Sequence, residues 1–281
     1  MHKGEYNMPL LANFHTHTVF CDGRDTAEDM VTYAIGLGFK HLGFSGHMDP
    51  DNHVDPDLYF PEIHRLQEVY GDQIEILCGI ELDTVYDPGA AKGAEYIIGS
   101  THFAEVDADP ALSVDDTEER LETLVTQYFE GDYYRLAKHY YELEAKVFDR
   151  LHCDIIGHFD LVTRFNDHLH FLDEEDPRYT GPALAAMEYL VTKDVPFEIN
   201  CGAVNRGRKK ELYPNRFFLR ALRELGGEIM INSDAHQKEL LNGGFDIAVA
   251  TAISCGFTHT NILTRESSGK LGWKQIPLDI L

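Results

Sequence analysis

Short apolar runs alternate with amphipathic stretches along almost the whole chain, and this alternation restricts the fold more than any other feature. The runs are LLANF (10–14), HLGFS (41–45), IEILCGIEL (74–82), YIIGS (96–100), DIIGH (154–158), PFEIN (196–200) and EIMIN (228–232), with THTNILT (258–264) as a last strand candidate. Between them, TAEDMVTYAIGLG begins with Thr26 and carries an acid three residues on, which predicts an N-terminal capping box. Helical patterns also cover 59–70, 117–129, 132–151, ALAAMEYLVTK, PNRFFLRALRELG and GFDIAVATAISCG. Repeated strand–helix units imply an α/β fold with a mostly parallel sheet and right-handed crossovers. The exception is 103–152, where a loop and two helices separate neighbouring strands. This insertion is expected to cap one end of the sheet. With no repeat, low-complexity tract or linker, residues 1–281 read as a single domain.

Composition narrows the function classes. At 281 residues and 43% hydrophobic content the chain can bury a substantial core. It has no apolar run of about 18 residues and no apolar N-terminal stretch of the signal-peptide kind, so neither a membrane span nor export is expected. Asp and Glu number 48 against 24 Lys and Arg, a formal charge of −24, which repels nucleic-acid backbones. The five cysteines are scattered without a CxxC pair, a pattern suited to a reduced cytoplasm.

The strand ends carry the chemistry. His15 and His17 follow the first run two residues apart, so in an extended segment both imidazoles project to one side. His47 follows the second run, Glu81 ends the third, His102 follows the fourth and His158 ends the fifth. The sixth ends in Asn200, and Asp234 and His236 follow the seventh. A potential metal ligand therefore lies at the C-terminal end of six of seven strands, the face where parallel barrels assemble their sites. The remaining histidines, including His53, His168 and His170 in loops, read as surface or core groups. Imidazole together with carboxylate suits zinc, manganese or iron rather than a closed structural zinc site. Because a carboxylate can bridge two cations, Glu81 and Asp234 among these histidines suggest more than one ion. Paired ions about 3.5–4 Å apart generate hydroxide near neutral pH and clamp a phosphoryl group.

In this order and spacing, HTH, GFSGH, GIELD, STHF, IIGHFD, NCG and NSDAH resemble the PHP superfamily, and within it the monofunctional histidinol-phosphatase branch. The resemblance covers His15 to about Phe257. It implies a distorted seven-stranded (β/α)7 barrel with two or three divalent metal ions (Zn, Mn or Fe). It assigns His15, His17, Glu81 and Asp234 to one ion, a bridging Glu81 with His102 and His158 to a second, and Asp22, His47 and His236 to a third. Many members carry His near the position of Asp22, so the acid here leaves the third ion's identity open. Glu81, Asp234 and His236 would form the catalytic centre. The implied reaction is hydrolysis of L-histidinol phosphate to L-histidinol and phosphate in histidine biosynthesis, with a metal-bridging hydroxide as nucleophile. Other small phosphomonoesters or nucleotides are the alternative substrates, and a non-catalytic metal-binding module is the alternative class.

A dianionic phosphate needs donors besides metals, and arginine's planar fork suits its oxygens. Arg164 and Arg206 follow the fifth and sixth strands, and the resemblance gives both a phosphate-binding role. Arg208, Lys209 and Lys210 read as a solvated basic turn. Asp160 is placed either against the substrate's amino group or behind His158 as an orienting partner.

Overall fold

Side-chain alternation along the strands divides the molecule into an outer helical layer and a filled barrel interior. The computed structural model of the chain describes residues 11–108 and 111–280; Leu10 of the first apolar run, the N-terminal stretch before it and residues 109–110 of the expected insertion lie outside them. Seven strands pair in parallel in chain order: β1 (Ala12–Asn13), β2 (His41–Met48), β3 (Glu75–Asp83), β4 (Tyr96–Ser100), β5 (Ile155–Ile156), β6 (Phe197–Asn200) and β7 (Ile229–Asn232). Beyond β1 and β7, Thr16 bridges Ala235 in parallel. His17 N–H donates to Ala235 O at 2.8 Å and Ala235 N–H to His15 O at 3.2 Å, so the sheet's two edges meet. The result is a nearly closed (β/α)7 barrel, distorted where β1 and β5 are each 2 residues long.

On β3, Ile76, Cys78, Ile80 and Leu82 face outward and share the main core with Tyr59, Ile63 and Leu66 of the helix Pro56–Tyr70. Leu77 faces inward with Phe14, Tyr96, Ile98, Ile155 and Met230. Because side chains alternate with period two, the inward set continues from Leu77 through Gly79 to Glu81 and Asp83. One geometric rule thus fills the interior with apolar groups and delivers carboxylates to the C-terminal mouth. Tyr96 shows why the inner face needs glycine. A Cβ on Gly79 would lie 2.3 Å from its ring, and one on Gly43 2.3 Å from its hydroxyl oxygen. That hydroxyl donates to Phe14 O at 2.6 Å.

THTNILT is a strand, but not of the parallel sheet. It forms β8 (His259–Arg265), paired antiparallel with β9 (Leu271–Pro277) in a separate hairpin. Ile262, Leu263 and Ile276 join the apolar cluster inside the barrel, while Asn261 bonds Ile229 O and Thr264 bonds Glu75. Those partners start β7 and β3, so the hairpin closes the barrel's N-terminal end. Helix starts follow local capping. Thr26 caps its helix as expected, accepting from Asp29 N at 3.1 Å, but the reciprocal arm of the box differs: the Asp29 carboxylate accepts from the Thr26 hydroxyl at 2.8 Å rather than from its backbone N–H. The helix expected over ALAAMEYLVTK begins earlier, at Pro177, because Asp176 accepts from Arg178 N and the proline suits a first turn.

The insertion reaches both the mouth and the outside of the barrel. Its loop brings Ser113, Asp115 and Asp116 to the barrel mouth. The helix pattern over 132–151 splits into Tyr133–Glu144 and Val147–Leu151, and the first packs outside the barrel, with Tyr141 OH donating to Tyr179 OH at 2.9 Å. After the break, Val147 and Cys153 both pack against Gly99. Glu144 on this helix is buried, neither carboxyl oxygen has a hydrogen-bond partner, and burial pushes its carboxyl up to about 8. A carboxyl raised from its ordinary 4.5 holds a proton in the folded state that the unfolded chain has released. Its contribution is complete below about pH 4.5 and is lost as pH rises toward 8. Glu144→Gln should therefore gain stability over wild type by on the order of a few kcal/mol between pH 5 and pH 8, read from denaturant unfolding. A stability difference that is the same at both pH values would contradict this.

Candidate metal centre

Glu81 stands at the middle of the barrel mouth, buried and ringed by imidazoles. Its Oε2 lies 3.1 Å from His15 Nε2, 3.1 Å from His47 Nδ1 and 3.4 Å from His17 Nε2. Its Oε1 lies 2.9 Å from His158 Nε2 and 3.4 Å from His102 Nε2, and accepts from Ser100 Oγ at 2.7 Å. Asp234 Oδ1 lies 3.4 Å from both His17 Nε2 and His236 Nδ1. Asp22 Oδ2 lies 3.1 Å from His236 Nε2, and its Oδ1 3.6 Å from His47 Nε2. All nine residues expected as ligands fall in this cluster.

Potential ligand atoms within 4.8 Å of one another form four sets: His15–His17–Asp234, His15–Glu81–His158, His47–Glu81–His102 and His17–Asp22–His47–His236. The partition differs from the expected one. His17 also reaches toward Asp22, and His47 joins the Glu81–His102 set. Four atoms settle whether the residues suit metal ions: His15 Nε2, His17 Nε2, His47 Nδ1 and Glu81 Oε2 are buried without a hydrogen-bond partner. Buried polar atoms are rarely left unpaired. These four converge on one another, and their nitrogen and oxygen donor set suits zinc, manganese or iron.

The electrostatics follow from burial and crowding. Burial disfavours charge on His17, and His47 and His236 add to it, pushing its imidazole down to about 3. For His15, burial is outweighed by Glu198, Glu81 and Asp234, which raise it well above the ordinary value. Burial opposes charge on His102 too, yet Glu81 and Asp83 raise it. Burial would raise Glu81, but His15, His47 and His102 hold it well below the ordinary range. A cation entering this cluster would displace protons, so its affinity should weaken toward acid pH.

Behind the cluster stand carboxylates that strand-end reasoning missed. Glu198 Oε1 lies 2.7 Å from His15 Nδ1. Asp83 Oδ2 accepts from His102 N–H at 2.7 Å and lies 3.2 Å from its Nδ1. Both were within reach of period-two reasoning, since Glu198 precedes Asn200, and Asp83 follows Glu81, by two residues.

The cluster floors a cavity of about 650 Å³ that Arg164 and Arg206 both line. Arg164 Nη1 lies 3.4 Å from Asp115, also missed by the sequence reading, and its Nε has no partner. Arg206 is tied more firmly, donating to Asp234 Oδ2 at 3.2 Å, Asp234 O at 3.1 Å and His236 Nδ1 at 2.8 Å. Asp160 does not reach the cavity. It is fully buried, accepts from Asn215 N–H at 3.0 Å, makes no hydrogen bond to His158, and burial pushes it up to about 7. The solvated basic turn also needs correcting. Lys209 is buried with Nζ 2.7 Å from Thr163 Oγ1, and Arg208 lines the cavity. His53 lies against Tyr86, and the exposed His168 pairs with Glu118.

Residues 13–201 match the PHP domain. The chain belongs to the PHP domain family. The match ends at Cys201, so Asp234 and His236 reach the PHP site from beyond the matched residues. The chain is 25% identical over 300 residues, 93% of its own length and 92% of the other's, to a Schizosaccharomyces pombe protein named "Probable histidinol-phosphatase". It is 28% identical over 249 residues, 82% and 88% of the two chains, to a Deinococcus radiodurans protein of the same name. The PHP fold also matches a solved Lactococcus lactis histidinol phosphate phosphatase complexed with zinc, L-histidinol and phosphate. The TM-score is 0.69 at 22% identity, covering 93% of this chain and 98% of that one. No helix among the described residues is long and apolar enough to cross a membrane.

Proposed function

We propose that the chain is a phosphomonoesterase that hydrolyses L-histidinol phosphate to L-histidinol and phosphate, working as one PHP domain with two or three divalent ions. The observation that carries the reading is the convergence of four unpartnered ligand atoms, three imidazole nitrogens and Glu81 Oε2, with two arginines on the same cavity. The names of the two curated relatives support the substrate.

His15, His17, Asp22, His47, Glu81, His102, His158, Asp234 and His236 would hold the ions. Divalent cations held there would supply Lewis acidity toward phosphoryl oxygens and would lower the pKa of water enough for a hydroxide nucleophile near neutral pH. The protein's own groups do the rest. Arg164 and Arg206, each with a buried Nε that has no hydrogen-bond partner, would grip phosphate oxygens, and Arg206 also holds Asp234 and His236 while facing the same space. Buried Glu81 and Asp234 supply negative charge for the cations. Together with such cations, the arginines would reverse, at the cavity, the repulsion that a chain of charge −24 exerts on a phosphate.

Phosphate release from a panel of phosphomonoesters tests the substrate. L-histidinol phosphate should be turned over with the highest kcat/KM, and a nucleotide or sugar phosphate in first place would displace this reading. Metal content tests the centre. Protein isolated without chelator should carry at least two divalent transition ions per chain, and active protein with one ion or none by elemental analysis would rule out the multinuclear arrangement.

A further inference from the structure

Glu198 is fully buried on β6, and all of its partners are donors. Two of them have no freedom in this respect. Asn232 Oδ1 accepts from Phe14 N–H at 2.8 Å, so its amide nitrogen is the group 3.0 Å from Glu198 Oε1. Asn200 Oδ1 accepts from Gly202 N–H at 2.7 Å, so its amide nitrogen is the group 2.9 Å from Glu198 Oε2. Backbone N–H groups, which can only donate, thus fix the orientation of both asparagines. The third partner is His15 Nδ1 at 2.7 Å, and beside an acceptor-only carboxylate it must carry the proton.

We infer that Glu198, held by Asn200 and Asn232, is a positioning residue that fixes His15 with Nδ1 protonated and presents the Nε2 lone pair to a divalent cation. The unpartnered His15 Nε2, 3.1 Å from Glu81, is the atom so presented. The network also spans the barrel seam. Asn232 ends β7, Phe14 follows β1 and Glu198 lies on β6, so one carboxylate ties the first ligand to the strands that close the barrel. Carboxylates behind metal-ligating histidines set the tautomer and raise ligand basicity, and losing one typically costs about 10- to 100-fold in metal affinity. In Glu198→Gln an amide donor would face one of three donors, so the site would lose more than a charge.

The inference rests on the metal reading above, and zinc alone is the probe. In wild-type protein labelled with 15N-histidine and loaded with zinc, the His15 resonances should show zinc on Nε2 and a proton on Nδ1. Chelator competition on Glu198→Gln should show one zinc weakened by about 10- to 100-fold, with the remaining zinc bound as in wild type and the circular dichroism unchanged. Glu198→Asp, which keeps the charge but withdraws it by one methylene, should fall between. A general structural role would weaken all ions together and leave the nitrogen assignment untouched. Zinc on His15 Nδ1, or zinc affinity unaltered in Glu198→Gln, overturns the role of Glu198 alone. A wild-type protein that takes up no zinc overturns the metal reading and this inference with it. Should Glu198→Gln fail to fold, the wild-type nitrogen assignment still decides.

Discussion

Glu81→Gln should abolish turnover by several orders of magnitude while the barrel remains folded. Five histidines approach the two oxygens of this carboxylate within 3.4 Å, and those oxygens appear in two of the four potential ligand sets. Removing the charge takes away what two cations would share, and the amide nitrogen would donate toward imidazole nitrogens or toward Ser100, which itself donates at 2.7 Å. Leu77, on the same inward face, packs among apolar neighbours that need none of that charge. Circular dichroism should therefore match wild type while elemental analysis shows ions lost. A variant with near-normal turnover and full metal content would remove Glu81 from the bridging position.

The two arginines should separate in a way their similar places in the sequence do not suggest. Arg164→Ala removes a donor tied only loosely, at 3.4 Å, to Asp115. A hydrogen bond to a charged group is worth roughly 1.5–3 kcal/mol, so kcat/KM should fall roughly ten- to a hundredfold with metal content intact. A rise in KM alone would mean that Arg164 grips phosphate equally in ground and transition states, and a fall in kcat that it acts mainly as attack proceeds. Arg206→Ala should cost more, and ions as well, because its guanidinium also braces the carboxylate of Asp234 and the ring of His236. Burial opposes charge on Arg206, but Asp234 outweighs it and raises its pKa. Lysine should rescue neither fully, since an ammonium cannot match the planar fork. Wild-type kinetics in both alanine variants would move the phosphate to a different wall of the cavity.

Much of this molecule was legible as periodicity. Apolar runs bounded by capped helices gave seven parallel strands, because side chains in strands alternate and crossovers to parallel neighbours need helices. Residue type at the strand ends gave eight of the nine candidate ligands, and the family resemblance added Asp22. Other features depended on distances that periodicity does not encode. Closure at Thr16 and Ala235 brings His17 to within 3.4 Å of Asp234, although 217 positions separate them in the chain. The alternation also slips at Phe14, which packs into the interior while the next residue, His15, turns to the site. Asn13, whose side chain accepts from His15 N–H, supports that irregularity. Asp160 follows His158 by two residues, yet loop geometry takes it into the core against Asn215 N–H instead of the cavity. Lys209 is buried for a related reason, because a chain returning over the loop after β5 puts its ammonium on Thr163. The sequence by itself determined which chemistry the barrel mouth would hold, through local rules of period and residue type. Only the tertiary structure decided which carboxylates stand behind which histidines and which arginine braces the ligands Asp234 and His236, because those choices are made where distant strands and loops meet.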